Sequence, residues 1–163
     1  MLDRVIVADL ADPEQAAAVV TLLDMYAREP VARNAPLPDH VKREVVAGLR
    51  DHPSTIVFLA YRAGVAVGLA VCLMGFSTFA AKRLINIHDL AVAPQGRRQG
   101  VARALLAAIE AHAMALDCCK ITLEVMDDNS DAKALYSSEG FAQYVLSSGA
   151  QAQLLHKTLP ATS

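Results

Sequence analysis

The sequence predicts an α/β chain of the α+β kind, forming a single domain over residues 1–163. Three observations carry this. Apolar runs of strand length are interspersed with stretches of helical periodicity, in the order strand, two helices, three strands, helix, strand, helix, two strands. The runs 54–62 and 65–75 are joined by the tight turn Arg62-Ala63-Gly64, which reads as a hairpin. A chain of 163 residues is close to the size of one ordinary domain, and no internal repeat, long linker or low-complexity tail divides it.

Each element has its own local reason. Residues 3–9 alternate weakly and read as a strand. Asp12 can cap a helix with Pro13 in its first turn, and that helix runs to about Tyr26. A loop with Pro30, Pro36 and Pro38 follows, then a second helix over about 39–51 that stops before Pro53. After the hairpin, 76–83 links to a strand at 84–93. The helix after Gly100 sets Leu105, Leu106, Ile109, Ala113 and Leu116 on one face. A strand is predicted over 119–126 and a short helix over 130–138, with Gly140 as its C-terminal cap. The last two strands are predicted over 141–147 and 151–159. Within 84–93, Ile85 and Ile87 share one parity while Leu90 and Val92 share the other. A one-residue bulge at His88-Asp89 would produce that slip. Burial of both faces of the strand would also allow it.

Composition excludes several classes. The chain is 54% apolar with a net charge of −2, so neither a nucleic acid nor a membrane is expected as a partner of the whole domain. No apolar run is long enough to span a bilayer, and MLDRVIVADL reads as a strand and not as a signal peptide, which points to the cytoplasm. Cys72, Cys118 and Cys119 do not make a disulfide framework and read as reduced, packed thiols. His40, His52, His112 and His156 lack ligand spacing, so no metal is expected. There is no P-loop, no dinucleotide fingerprint and no hydrolase nucleophile elbow.

The chemistry concentrates at Ile85–Leu106, INIHDLAVAPQGRRQGVARALL. An apolar strand enters a basic, glycine-containing turn that opens into an amphipathic helix. A helix start offers unpaired N–H groups and the positive end of its dipole. Arg97 and Arg98 add forked donors, while Gly100 and Ala102 remove bulk. This is an anion site suited to a pyrophosphate. The spacing Arg97-x-x-Gly100-x-Ala102, after Leu90-Ala91-Val92-Ala93-Pro94, resembles the acetyl-coenzyme A signature of the GNAT N-acetyltransferases. Downstream, Asn129, Ala132, Leu135-Tyr136 and Gly140-Phe141 resemble the second motif of that family in order and spacing.

The resemblance implies a GNAT fold over the single domain 1–163: a mixed, mostly antiparallel sheet of six to seven strands, with helices on both faces and a V-shaped splay for acetyl-CoA. It implies acetyl-CoA as co-substrate, with Arg97, Arg98, Gln99, Gly100, Val101 and Ala102 as the pyrophosphate loop. Leu90, Ala91 and Val92 would pair with the pantetheine arm, and Asn129 would hold it. Tyr136 would donate a proton to the departing thiolate, a phenol of pKa ~10 facing a thiol of ~8.5. The general base stays open between Asp89, Glu124 and His88. The 28–38 loop and the 75–79 segment would make the acceptor pocket, with Tyr26, Phe76 and Phe79 as walls and His88 also facing the substrate. The expected activity is direct acetyl transfer from acetyl-CoA to a primary amine of a small-molecule, polyamine-like acceptor, by a homodimer. The alternatives are a protein or peptide amine as acceptor, and a non-catalytic acyl-CoA-binding module.

Overall fold

The computed structural model describes residues 2–145, 148–150, 154–155 and 157–159. The chain divides into two compact units, Met1–Asn129 and Ser130–Ser163. The first contains β1 (Arg4–Val7), α1 (Pro13–Ala27), α2 (Asp39–Asp51), β2 (Thr55–Arg62), β3 (Val65–Ser77), β4 (Lys82–Val92), α3 (Val101–Ala115) and β5 (Ile121–Leu123). The second contains α4 (Ser130–Ser138).

The strands form one mixed sheet in the order β1-β2-β3-β4-β5. The first four pair antiparallel, and β5 pairs parallel to β4 through the α3 crossover. Capping explains the clearest boundaries. Asp12 Oδ1 accepts from the Glu14 and Gln15 amides, and the Gln15 side chain returns a bond to Asp12 Oδ2 at 2.8 Å. At the end of α4, Gly140 takes φ 84°, and the Phe141 amide donates to the Tyr136 carbonyl at 2.9 Å. That is the left-handed helix stop anticipated for a glycine here.

The parity slip in β4 is a bulge. Cys72 pairs with Ile87 and Val71 with Asp89, so His88 is the extra residue. Ile85, Ile87, Leu90 and Val92 thereby share one face, and Asn86, Asp89 and Ala91 the other. Both faces are covered. Val19 and Leu22 of α1 pack with Val57, Leu59, Leu69, Val71 and Ala93. On the opposite face Leu105 and Ile109 of α3 are fully buried, and His112 meets the Phe58 ring edge-on at 5.6 Å.

Two expectations differ in extent. The strand predicted over 119–126 is paired only at 121–123, because its partner β4 bulges at His88 and the ladder cannot continue past it. Among the described residues of the last two predicted strands there is no strand, only an isolated bridge position at Val145; residues 146, 147, 151–153 and 156 lie outside the described residues.

Gly68 sets the distance of α3 from the sheet. A Cβ there would lie 2.7 Å from Val101 Cγ1 and 3.0 Å from Leu105 Cδ1. These are the first and second turns of the helix whose N-terminus forms the anion site, so the missing side chain lets that terminus seat against the end of β4. Gly68→Ala should overpack this contact and cost about 1–3 kcal/mol. Urea denaturation measures it, and an unchanged midpoint would show that α3 is free to move away.

Candidate active site

The site begins where β4 and β5 part. Their pairing covers Ile85–Ile87 against Ile121–Leu123 and is reinforced by Asn86 Nδ2 donating to Thr122 Oγ1 at 3.1 Å. From His88 to Val92 the β4 edge that faces β5 has no strand partner among the described residues. Such an edge presents a row of N–H and C=O groups to which an extended chain can be added. Leu90, Ala91 and Val92 lie along it.

The edge runs into the loop before α3. The Ala93 amide donates to the Val67 carbonyl at 2.9 Å, and Gly96 is buried where a Cβ would press on Val67 and Val92. Arg98 and Gly100 then adopt left-handed φ values of 59° and 79°. Turns of this kind gather successive N–H groups into an anion-binding concavity. Arg98 pays for this as a non-glycine residue, at roughly 1–2 kcal/mol. Ala104 closes the first α-helical bond onto the Gly100 carbonyl, so the amides of Val101 and Ala102 have no intrahelical acceptor. A Cβ on Gly100 would meet no atom within 4 Å, so the space above the loop is open. Free donors, a helix dipole and open room fit a pyrophosphate. The side chains divide: Gln99 Nε2 donates to the Gln95 carbonyl at 2.9 Å, and Arg97 pairs with Glu29.

At the bulge, His88 is exposed and Asp89 is half-buried, on the face covered by α1. Burial is the main influence on Asp89 and holds its carboxyl above the ordinary carboxylate range, while His88 pulls the other way. Tyr26, near the end of α1, is also half-buried. Burial raises its phenol, and the charges of Asp89 and Glu29 raise it further. Tyr26, Asp89 and Glu29 therefore form one electrostatic neighbourhood, with negative charge to offer a cation. Glu29 lies in the 28–38 loop that the sequence reading gave to the acceptor pocket, but it was not singled out there. It sits in a loop with no motif, and its only signal was an acid directly after α1.

The remaining candidates scatter. Glu124 follows the last paired residue of β5 and is exposed, past the end of the strand and not within it. Phe76 and Phe79 are 62% and 104% exposed near the β3–β4 turn. Phe76 pairs with Arg83, five positions from the Val71–Asp89 pair, or roughly 17 Å along the strand. The structure therefore does not bring them beside Asp89. Asn129 directly precedes α4, and its amide donates to the Met126 carbonyl at 3.0 Å. In the second unit, half-buried Tyr136 meets Phe141 edge-on at 5.8 Å. Burial pushes the Cys72 thiol up to about 12, which leaves it inert as a nucleophile. Among the described residues no group of His, Cys, Asp or Glu could hold a metal ion, and no helix is long and apolar enough to cross a membrane.

The chain is thus a mixed α/β protein whose open sheet edge runs into a basic, glycine-containing helix start. The sequence model of the acetyltransferase (GNAT) family matches residues 19–141, and the chain belongs to that family. It is 29% identical over 133 residues to an uncharacterized N-acetyltransferase, YhfO, of Bacillus subtilis (strain 168), covering 82% of this chain and 87% of that one. Among solved structures its fold is similar to an aminoglycoside acetyltransferase, meta-AAC0020, from an uncultured soil metagenomic sample. That match has a TM-score of 0.72 and 19% identity, over 98% of this chain and 96% of that one. It is also similar to a ribosomal-protein-alanine N-acetyltransferase of Brucella melitensis biovar Abortus 2308, with a TM-score of 0.68 and 19% identity, over 90% and 98% of the two chains.

Asp89 yields a prediction with a definite sign. Its carboxyl is raised by folding, so the folded protein holds the proton more tightly than the unfolded chain. The charged form therefore costs stability. That cost is absent below the ordinary carboxylate pKa, grows as pH rises through the folded value, and is complete above it. Asp89→Asn should raise Tm at neutral pH, by about 2–4 °C for each kcal/mol relieved in a chain of this size. The gain should fade towards about pH 3. Thermal melts of both proteins across this range test it, and a difference independent of pH would contradict it.

Proposed function

We propose that the chain is an N-acetyltransferase that takes acetyl-coenzyme A as donor and a primary amine on a small cationic molecule as acceptor. The observation that carries this reading is the unpaired β4 edge, which starts at the His88 bulge and ends at the open helix start of α3. When bound, acetyl-CoA would supply the thioester carbonyl that the amine attacks. The β4 backbone at Leu90–Val92 would hold its extended arm as an added strand. Asn129, on the family resemblance, would hold the same arm. The amides of residues 98–102 and the Arg98 guanidinium would take the pyrophosphate. Backbone donors at the bulge would stabilise the oxyanion as it develops.

Asp89 is the proposed base. An ammonium cannot attack until it loses a proton, and a carboxylate whose pKa is raised by burial is better matched to receive it. With Glu29 it would also attract the cation before transfer, which favours a small amine over an uncharged acceptor. Tyr136 is the proposed proton donor to the departing thiolate, a role taken from the family resemblance. The relatives named for aminoglycosides and for a ribosomal-protein alanine extend the acceptor panel to amino-sugars and peptide amines.

The deciding experiment offers acetyl-CoA with polyamines, aminoglycosides and N-terminal peptides and follows free thiol release. Turnover with a small cationic amine is expected. Turnover only with peptides would move the acceptor to protein, and tight binding of acetyl-CoA with no turnover would leave a binding module.

Two variants sharpen the test. Gly100→Glu sets a bulky anion in the open space above the loop and strains a φ of 79°. Calorimetry should show coenzyme A binding weakened by about tenfold or more, the scale of one lost charge-assisted contact; unchanged affinity would remove residues 97–102 from the cofactor site. Tyr136→Phe should preserve coenzyme A affinity and lower kcat by about 10²–10⁴-fold, with water substituting in part. Wild-type kcat across the pH range would make Tyr136 structural.

A further inference from the structure

The two arginines of the loop are not equivalent. The Arg97 guanidinium is engaged within the chain, at the surface: Nη2 pairs with Glu29 Oε1, and Nε donates to the Val92 carbonyl at 3.1 Å. Arg98 is exposed, and among the described residues its side chain has no hydrogen bond or ion pair. Glu29 is equally committed. Its amide donates to Tyr26, and its carbonyl accepts from the amides of Ala32 and Asn34, so it organises the first half of the loop between α1 and α2. The far end of that loop is pinned by Asp24, which accepts from the Leu37 amide at 2.8 Å and pairs with Lys42 at 3.2 Å. The near end is therefore the one that Arg97 controls.

We propose that Arg97 is a positioning residue for the acceptor side of the site: by gripping Glu29 and the Val92 carbonyl at once, it fixes the α1–α2 loop against the end of β4. The inference rests on reading residues 97–102 as the cofactor loop. Within that loop, phosphate charge falls to Arg98 and the backbone amides. The fork of an arginine suits this double grip, since its planar group holds a carboxylate and a carbonyl in one fixed geometry, where a lysine ammonium is a rotating point charge. Recruiting Arg97 to a phosphate would leave Glu29, whose side chain is only 26% exposed, without its cation. Tyr26 lies on the turn of α1 just before Glu29, so the grip also sets the position of Tyr26 relative to Asp89.

Three variants test the division of labour: Glu29→Gln, Arg97→Gln and Arg98→Gln. Hydrogen exchange reads the loop and calorimetry with coenzyme A reads the cofactor site. Glu29→Gln and Arg97→Gln should speed exchange of the 32–35 amides severalfold and leave coenzyme A affinity within about threefold, well short of a lost charge-assisted contact. With the amine that turns over, they should raise KM while holding kcat. Arg98→Gln should weaken coenzyme A by about tenfold or more with loop exchange unchanged. The proposal is overturned if Glu29→Gln leaves the exchange unaltered. It is also overturned if Arg97→Gln weakens coenzyme A as much as Arg98→Gln does. Glu29→Gln is isosteric and leaves the packing volume unchanged, so it decides the matter even if an arginine variant folds poorly. If the wild-type protein does not bind coenzyme A, the cofactor reading fails, while the exchange result still decides whether Arg97 holds the loop.

Discussion

One extra residue in β4 organises the site. His88 has no partner across β3, and the register on either side of it differs by one. Without it, the apolar side chains of β4 could not serve α3 along the whole strand: Ile85 and Ile87 would face α3 while Leu90 and Val92 faced α1. The bulge restores one apolar face and turns Asp89 to the α1 side. It also bends β4 away from β5, whose pairing stops at Ile87. Core packing, the exposed edge and the burial of Asp89 thus share one geometric cause.

The second constraint is how closely α3 can approach. The small residues Ala60, Gly68 and Ala70 form the patch of sheet beneath Val101 and Leu105. A helix seated there brings its free N–H groups to the end of the strand edge that the bulge exposes, so donor row and anion site become continuous. Neither feature alone would recommend a ligand, since an unpaired edge is common and so is a helix start. Their succession along Leu90–Ala102 marks a ligand that is extended at one end and anionic at the other.

Where a feature was written in neighbouring residues, it could be read before folding. Asp12 with Pro13, Gly140 after α4 and the slip from Ile85-Ile87 to Leu90-Val92 are all local signals, and each boundary or bulge is found there. The helix-start loop was legible for the same reason. What escaped depends on partners far away in the chain. Arg97 and Glu29 are separated by 68 positions, so the pairing of this loop arginine with the α1–α2 loop could not be read from neighbouring residues. Glu124 followed an apolar run that looks like a longer strand, but the end of β5 is dictated by β4 and not by its own residues. Phe76 and Phe79 were expected to wall the acceptor pocket as part of the 75–79 segment, and the β3–β4 register, which pairs distant positions, sets Phe76 five pairs from Asp89.

The shortness of β5 has a mechanical side. It is held to β4 by pairing over three residues, by the Cys119 amide donating to the Arg83 carbonyl and by the Asn86 side chain on Thr122, whereas β3 and β4 are zipped from Lys82 to Val92. Local opening follows the weakest seam first. The sheet is therefore pre-cracked along the line where β4 and β5 separate, and this edge should breathe while β2–β3–β4 stays closed. An extended molecule hydrogen-bonded to Leu90–Val92 would splice that crack, lending backbone bonds that the polypeptide itself does not supply. Occupancy and rigidity would then rise together.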